Sequence, residues 1–152
     1  METKTLKIEI PNGYEIDKEK STFETIVLKK VNEVVIKWNK CRNSVEIKAD
    51  GEHFILDANP TYTMSWYDAM RFYKNLSFWK LPTVNQLQVV YKYFDEINNV
   101  IKENGGFVLT NGFYWSNLIL DEFRAWGVHF NDGRVYRYDK NYCYYVRAVF
   151  TL

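Results

Sequence analysis

The fold can be predicted most directly from residues 125–149, AWGVHFNDGRVYRYDKNYCYYVRAV. The tripeptide NDG (131–133) separates two runs rich in aromatic and β-branched residues, which is the pattern of a β-hairpin with a tight turn. The last run, YYVRAV (144–149), predicts a final strand. This end of the chain is therefore expected to be antiparallel β-structure.

Upstream of this stretch the hydrophobic period changes twice. Alternating apolar residues predict strands in residues 6–16, 21–31, 31–38 and 44–56, the last of these with a two-residue turn at Asp50-Gly51. Helical spacing follows in residues 66–73, where Ser65 with Asp68 resembles a capping box. It returns from Thr83 to about residue 101, with Gln86 in the same capping position relative to Thr83. Strands, two helices and strands in that order predict an α+β fold with helices packed on an antiparallel sheet.

Composition limits the class of protein. The 152 residues fit one domain with a small appendage, and an aromatic content of 18% favours β-structure with ring-filled cores. A net charge of +1 gives no electrostatic case for binding nucleic acid. The sequence has no apolar run long enough to span a membrane and no signal-peptide pattern at its start, so we expect no membrane insertion and a cytoplasmic or virion-associated protein.

Five short motifs in residues 60–149 together resemble a known family. Their members occur in the family's order and are Trp66 and Ala69; Trp79, Leu81, Pro82 and Thr83; Tyr114, Trp115 and Ser116; Ala125, Trp126, Phe130 and Gly133; and Val146, Arg147 and Val149. They resemble the C-type-lectin-fold family that includes the Lcl C-terminal domain and, more distantly, formylglycine-generating enzyme. Two positions depart from the pattern, because Asn117 follows Ser116 where Ser or Thr is usual, and no further Arg follows Val149.

The resemblance implies a domain organisation and a setting. It implies a C-type-lectin-like domain, which we place at residues 32–152, and the strand pattern of the opening residues predicts a β-ribbon over residues 1–31 ahead of it. The ribbon sequence looks like an N-terminal element of proteins from gut bacteria and their phages, which implies a phage or prophage origin. Because a fold does not specify a function, the motifs are first of all expected to be structural.

Catalytic and metal-binding patterns are weak in this sequence. Formylglycine-generating enzyme relies on a close pair of cysteines, whereas here Cys41 and Cys143 are far apart in sequence and are predicted to be free thiols. His53 and His129 each lack a second ligand at metal-binding spacing. The sequence NPT (59–61) and the step Asn131-Asp132 are poor substitutes for the calcium-binding triplets of lectins. We therefore predict no catalytic residues, no metal site, no cofactor and no enzymatic activity.

A recognition surface is the remaining prediction. Alternation along the strand after NDG places Val135 on one face and Tyr136 and Tyr138 on the other. The loop that follows is expected to carry Asp139, Lys140, Asn141 and Tyr142 at its exposed tip. Tyrosine offers large, rigid contact area, and Asn and Asp offer adaptable hydrogen bonds, as in antibody combining sites. The predicted ligand-binding residues are Arg134, Tyr136, Tyr138, Asp139, Asn141 and Tyr142.

The predicted ligand of this surface is a protein or a glycan. Two alternatives stay open at this level: a structural or assembly protein of a larger particle, which would form an oligomer, and a divergent oxidase of the formylglycine-generating type.

Overall fold

The computed structural model describes residues 9–22, 28–30 and 33–152. The chain divides into two compact units, Met1–Glu33 and Val34–Leu152. In the first unit, strands β1 (Tyr14–Ile16) and β2 (Leu28–Lys30) pair antiparallel, as a ribbon requires. The chain enters β1 through a turn in which the Tyr14 amide donates to the Pro11 carbonyl at 3.1 Å. The strand predicted at Leu6 and Ile8 lies outside the described residues.

The second unit, which is described throughout, contains two sheets and three helices. A four-stranded sheet has the order β11-β5-β4-β3, from Val149–Thr151, Glu52–Asp57, Ser44–Ala49 and Val35–Asn39. A five-stranded sheet has the order β6-β10-β7-β8-β9, from Tyr62–Met64, Tyr144–Val146, Phe113–Ile119, Arg124–His129 and Val135–Asp139. The helices are α1 (Trp66–Lys74), α2 (Val84–Lys92) and α3 (Phe94–Glu103). The α+β class is confirmed. No helix in the described part of the chain is long and apolar enough to cross a membrane.

The helix starts are where the local sequence places them. The Ser65 hydroxyl accepts a hydrogen bond from the Asp68 amide at 3.1 Å and caps α1. Thr83 and Gln86 form a reciprocal capping box at α2, because each side chain accepts from the other residue's backbone amide, at 3.1 and 2.9 Å. Each cap satisfies backbone donors that a helix start leaves without intrahelical partners.

The second predicted helix is in fact two helices. The chain breaks at Tyr93, whose φ of −108° and ψ of 26° lie outside the helical range, so α2 ends and α3 begins there. No Pro or Gly marks the break. At this point the Tyr93 hydroxyl and the Lys92 ammonium both donate to the Asp50 carboxylate in the β4–β5 turn, at 3.2 and 2.8 Å. The break between α2 and α3 therefore coincides with a contact to a turn that is distant in sequence.

The predicted final strand is also divided. Residues 144–146 form β10 in the five-stranded sheet, and residues 149–151 form β11 in the four-stranded sheet. Arg147 and Ala148 carry the chain from one sheet to the other, and both are buried. The end of the chain is therefore a covalent link between the two sheets, as is the connection from β5 to β6.

Two hydrophobic clusters form the core. The larger cluster joins the four-stranded sheet, α2 and α3 to one face of the five-stranded sheet, through fully buried residues such as Ile47, Leu87 and Tyr114. The smaller cluster lies on the other face of the five-stranded sheet, where Trp66 and Ala69 of α1 are in the same cluster as Trp115. Because a hydrophobic cluster covers each face of the five-stranded sheet, its strands bury apolar side chains on both faces.

Candidate functional site

The β8–β9 hairpin is fixed by its turn. Gly133 has a φ of +73°, and its amide donates to the His129 carbonyl at 2.7 Å. A Cβ atom at this glycine would lie 2.2 Å from the Tyr91 ring, so the position excludes other residues for two reasons. Asp132 accepts hydrogen bonds from the Arg134 amide and from the Tyr136 hydroxyl, at 2.9 and 2.8 Å. The Asp132 carboxylate is therefore engaged within the hairpin.

The alternation predicted for β9 is observed. Val135 packs against the larger cluster, which contains Val128 and Phe130, whereas Tyr136 and Tyr138 pack against the smaller cluster on the opposite face. Neither tyrosine is fully exposed, because both are partly buried. The rings of Tyr136 and Tyr138 therefore pack against other aromatic side chains of the smaller cluster.

We call this layer the aromatic face. Its members are Phe113, Trp115, Tyr136, Tyr138, Tyr142 and Tyr144. Tyr144 is its centre: its ring centroid lies 4.8 Å from that of Phe113, 4.9 Å from that of Tyr138 and 5.2 Å from that of Trp115. Most of these pairs meet edge to face, the arrangement that aromatic quadrupoles favour. The interlocked rings hold one another in place, so a partner would meet a preorganised surface.

The loop after β9 divides into exposed and buried positions. The Asp139 carboxylate accepts from the Asn141 amide at 2.8 Å, and the Asp139 carbonyl accepts from the Tyr142 amide at 3.1 Å, which closes the turn. Asn141 is exposed, and Tyr142 is 57% exposed, with its ring edge to face on Tyr144 at a centroid distance of 6.3 Å. The loop therefore presents Asn141 beside the aromatic face and contributes Tyr142 as an exposed ring of that face.

Lys140 is not exposed at the tip of this loop, where the sequence predicted it. Its side chain is 5% exposed, and its ammonium donates to the carbonyls of Asp121 and Glu122 at 2.8 and 3.0 Å. The ammonium also lies 4.8 Å above the Trp66 ring. A buried charge needs such partners, and here backbone carbonyls and a ring face supply them. Lys140 consequently anchors the loop to α1 and to the β7–β8 turn.

The electrostatics of the hairpin follow from these contacts. The Arg134 amide and the Tyr136 hydroxyl stabilise the Asp132 carboxylate and lower its pKa. The hydrogen bond to Asp132 raises the pKa of Tyr136, so this phenol stays a neutral donor. Burial, with the neighbouring hydroxyls of Tyr138 and Tyr142, raises the pKa of Tyr144. Tyr136 and Tyr144 are therefore uncharged at neutral pH, and the neighbouring Arg134 side chain is exposed.

Arg147 has a role that the sequence did not reveal beyond its place in a motif. Its side chain is 2% exposed, and its guanidinium donates to the backbone carbonyls of Asp57, Phe107 and Val108 and to the Thr61 hydroxyl. Burial lowers the pKa of Arg147 and raises that of Asp57. The only sequence signal was an arginine between apolar residues in a strand, which favours an internal structural role.

The cysteines and histidines considered for catalysis lie on different segments of the domain, and Cys143 and His129 adjoin members of the aromatic face. Cys41 and Cys143 are both exposed and unpaired. His53 is hydrogen-bonded to Glu46 at 2.9 Å, and the His129 ring lies edge to face on Tyr136 at 5.8 Å. Within residues 9–22, 28–30 and 33–152, no group of three His, Cys, Asp or Glu side chains could hold a metal ion.

The architecture defines an α+β domain with two sheets joined through a buried arginine, and with an aromatic face beside the β8–β9 hairpin. The model of the Lcl C-terminal domain family matches residues 32–150. The chain belongs to this family. Comparison with curated proteins gave no match.

Proposed function

We propose that this chain is a non-catalytic recognition protein that binds a protein or a glycan through the aromatic face and the adjoining loop. The observation that carries the proposal is the interlocked ring layer centred on Tyr144, in which buried Phe113 and Trp115 support the more exposed tyrosines. The exposed Arg134 and Asn141 side chains lie beside it, and Tyr142 is its exposed ring. Such a surface combines rigid apolar area with adaptable polar groups, and it loses little conformational entropy when it binds.

The six predicted residues contribute to this surface in different ways. Tyr136, Tyr138 and Asp139 are partly buried and are held by hydrogen bonds or ring contacts, so they shape the surface. Arg134, Asn141 and Tyr142 are exposed and can contact a partner without rearrangement. The second group therefore gives the cleaner test, because its removal should leave the fold intact.

The non-catalytic part of the proposal is supported by the state of the thiols and histidines. Cys41 and Cys143 are free thiols and do not form a bonded pair, and the contact of His53 with Glu46 lies in the four-stranded sheet. A direct test is to assay the purified chain for oxidation of peptide thiols with and without added copper. Turnover that requires Cys143 would make the chain an oxidase and refute the proposal.

The setting is proposed as well. We propose a phage or prophage origin and a cytoplasmic or virion-associated location, on the basis of the resemblance of the opening stretch to phage-type elements. An assembly protein is the alternative. Light scattering of the full chain and of a variant without residues 1–30 separates the two, since an assembly protein should lose its oligomeric state on this deletion.

The binding proposal is tested with a surface variant and a matched control. The surface variant carries Arg134→Ala, Asn141→Ala and Tyr142→Ala, and the control carries Lys102→Ala, Glu103→Ala and Phe107→Ala. All six side chains are exposed, and each variant removes one cation, one other polar group and one aromatic ring.

Both variants and the parent are applied to immobilised bacterial surface extract and to an array of bacterial glycans. An exposed aromatic anchor at an interface contributes about 2 kcal/mol or more, so the surface variant should lose at least tenfold in affinity while the control binds like the parent. If the two variants bound equally well, the aromatic face would not be the recognition surface. No binding by the parent to either probe would refute recognition of bacterial surfaces.

A further inference from the structure

A cleft beside α1 shares no lining residue with the aromatic face. The cleft has a volume of about 580 Å³ and lies between α1, the segment that connects α1 to α2, and Asn117 of β7. This volume is in the range of roughly 300–1,000 Å³ typical of sites for small molecules. We call it the α1 cleft.

The floor of the α1 cleft is apolar. It is lined by Met70, Tyr73, Leu76 and Leu81. Leu81 is 3% exposed and belongs to the smaller hydrophobic cluster, whereas Leu76 is 39% exposed. Burial, together with the nearby Asp57 carboxylate, raises the pKa of Tyr73 to about 12, so its phenol contributes no negative charge. The floor can therefore accept an alkyl or aryl group that replaces water on Leu76.

The rim of the α1 cleft is positively charged. Arg71, Lys74 and Lys80 line it. Asp68 is the one carboxylate that the described structure pairs with these cations, through a 3.6 Å contact with Arg71 in which both side chains are more than half exposed. Arg71 and Lys74 also lie in the last turn of α1, where cations are favourable. That reason does not apply to Lys80, which lies outside the helix.

The backbone on which the rim is built is fixed on both sides. The Lys80 amide donates to the Val149 carbonyl, and the Val149 amide donates to the Lys80 carbonyl, both at 2.9 Å. Two residues later, the Pro82 carbonyl accepts from the Asn117 amide at 2.9 Å. The connection between the helices is thus tied to both sheets, so the cleft is present before any ligand arrives.

We propose that the α1 cleft binds a small amphipathic carboxylate, with its apolar chain on the Leu76 side of the floor and its carboxylate at the rim. A guanidinium offers paired donors to a carboxylate, and an ammonium adds a point charge. The floor alone would take an uncharged chain and the rim alone an inorganic anion. The combination selects a molecule that has both parts.

The test uses octanoate as the probe, below its critical micelle concentration, against the full chain. Amide chemical shifts in NMR spectra report where it binds, and calorimetry reports the affinity. We expect saturable binding with the largest shifts at Met70, Ser77 and Asn117. Acetate and octanol should each bind at least tenfold more weakly, because each lacks one of the two parts. Absence of saturation, or equal affinity for octanol, overturns the proposal.

Two charge-matched variants locate the site. Lys74→Gln/Lys80→Gln removes two cations from the rim and should weaken octanoate binding about tenfold, whereas Lys40→Gln/Lys102→Gln removes two exposed cations elsewhere and should leave it unchanged. If both variants weakened octanoate binding equally, the effect would come from the net charge of the protein, and the site would be refuted. A third variant, Leu76→Ser, should also weaken binding by removing exposed apolar surface from the floor, and unchanged affinity would contradict the assigned pose.

Discussion

Arg147→Met should be among the most destabilising single substitutions in this protein. The guanidinium sits where the chain crosses from the five-stranded to the four-stranded sheet, and it donates to the carbonyls of Asp57, Phe107 and Val108 at 3.0, 2.9 and 3.2 Å. A methionine fills much of the same volume but donates no hydrogen bond, so three carbonyls lose a partner.

The magnitude can be worked from these contacts. Hydrogen bonds to a charged group contribute roughly 1.5–3 kcal/mol each, so three of them amount to at least about 4 kcal/mol. Methionine does not carry the desolvation cost of a buried guanidinium, and this difference offsets part of the loss. We expect the free energy of unfolding to fall by about 3 kcal/mol, which for a domain of this size lowers the melting temperature by roughly 6–12 °C.

Urea unfolding followed by tryptophan fluorescence measures this change. All five tryptophans lie in the unit Val34–Leu152, so the signal reports on that unit alone. The matched control is Arg71→Met, whose side chain is 77% exposed and makes one weak surface ion pair, and which should change the free energy of unfolding by less than about 0.5 kcal/mol. A loss below about 1 kcal/mol for Arg147→Met, or a loss equal to the control, would refute the idea that this arginine holds the two sheets together.

Three further predictions follow from buried and exposed groups. Lys140→Met removes two charge-assisted hydrogen bonds to backbone carbonyls and should lower the free energy of unfolding in urea by about 2 kcal/mol, and an unchanged midpoint would contradict its anchoring role. Burial raises the pKa of Asp57 above its ordinary 3.8, so its contribution to stability is largest at low pH and declines as pH rises through the folded-state value. The stability of Asp57→Asn relative to the parent should therefore increase from about pH 4 toward neutrality, and a flat or opposite trend in urea titrations would show that burial is not the dominant influence. Cys41 and Cys143 should both react with a thiol reagent in the native protein, and recovery of fewer than two thiols per chain would indicate pairing or burial.

The predicted helix starts and hairpins were confirmed because their causes are local. Thr83 and Gln86 satisfy each other's backbone groups within three residues, and the Asp50-Gly51 turn joins β4 to β5 with both residues at positive φ. Such signals depend only on neighbours in sequence, and they can be recognised before any tertiary contact is known. The division of β9 into a core face and an outer face is of the same kind, since alternation follows from strand geometry.

The candidate surface could be predicted only in part. Sequence placed Tyr136 and Tyr138 together on one side of β9, but it treated the loop from Asp139 to Tyr142 as uniformly exposed. In the structure Lys140 is buried, because carbonyls of the distant β7–β8 turn and the Trp66 ring are available to its ammonium. A lysine in a loop carries no sequence signal for such partners.

The sequence by itself determined the α+β class, the family, the caps and the turns of this protein, because each depends on residue types at short, fixed spacing. Tertiary structure alone decided that the helix from Thr83 breaks at Tyr93, that the last strand divides at Arg147 between two sheets, and that Lys140 lies inside. In each of these three cases the residue contacts a group remote in sequence. Tyr93 contacts Asp50, Arg147 contacts the Asp57 carbonyl, and Lys140 contacts the Asp121 carbonyl. Hydrogen-bonding groups that must be buried take whichever partners the packed chain brings near, and that pairing exists only once the two sheets have come together.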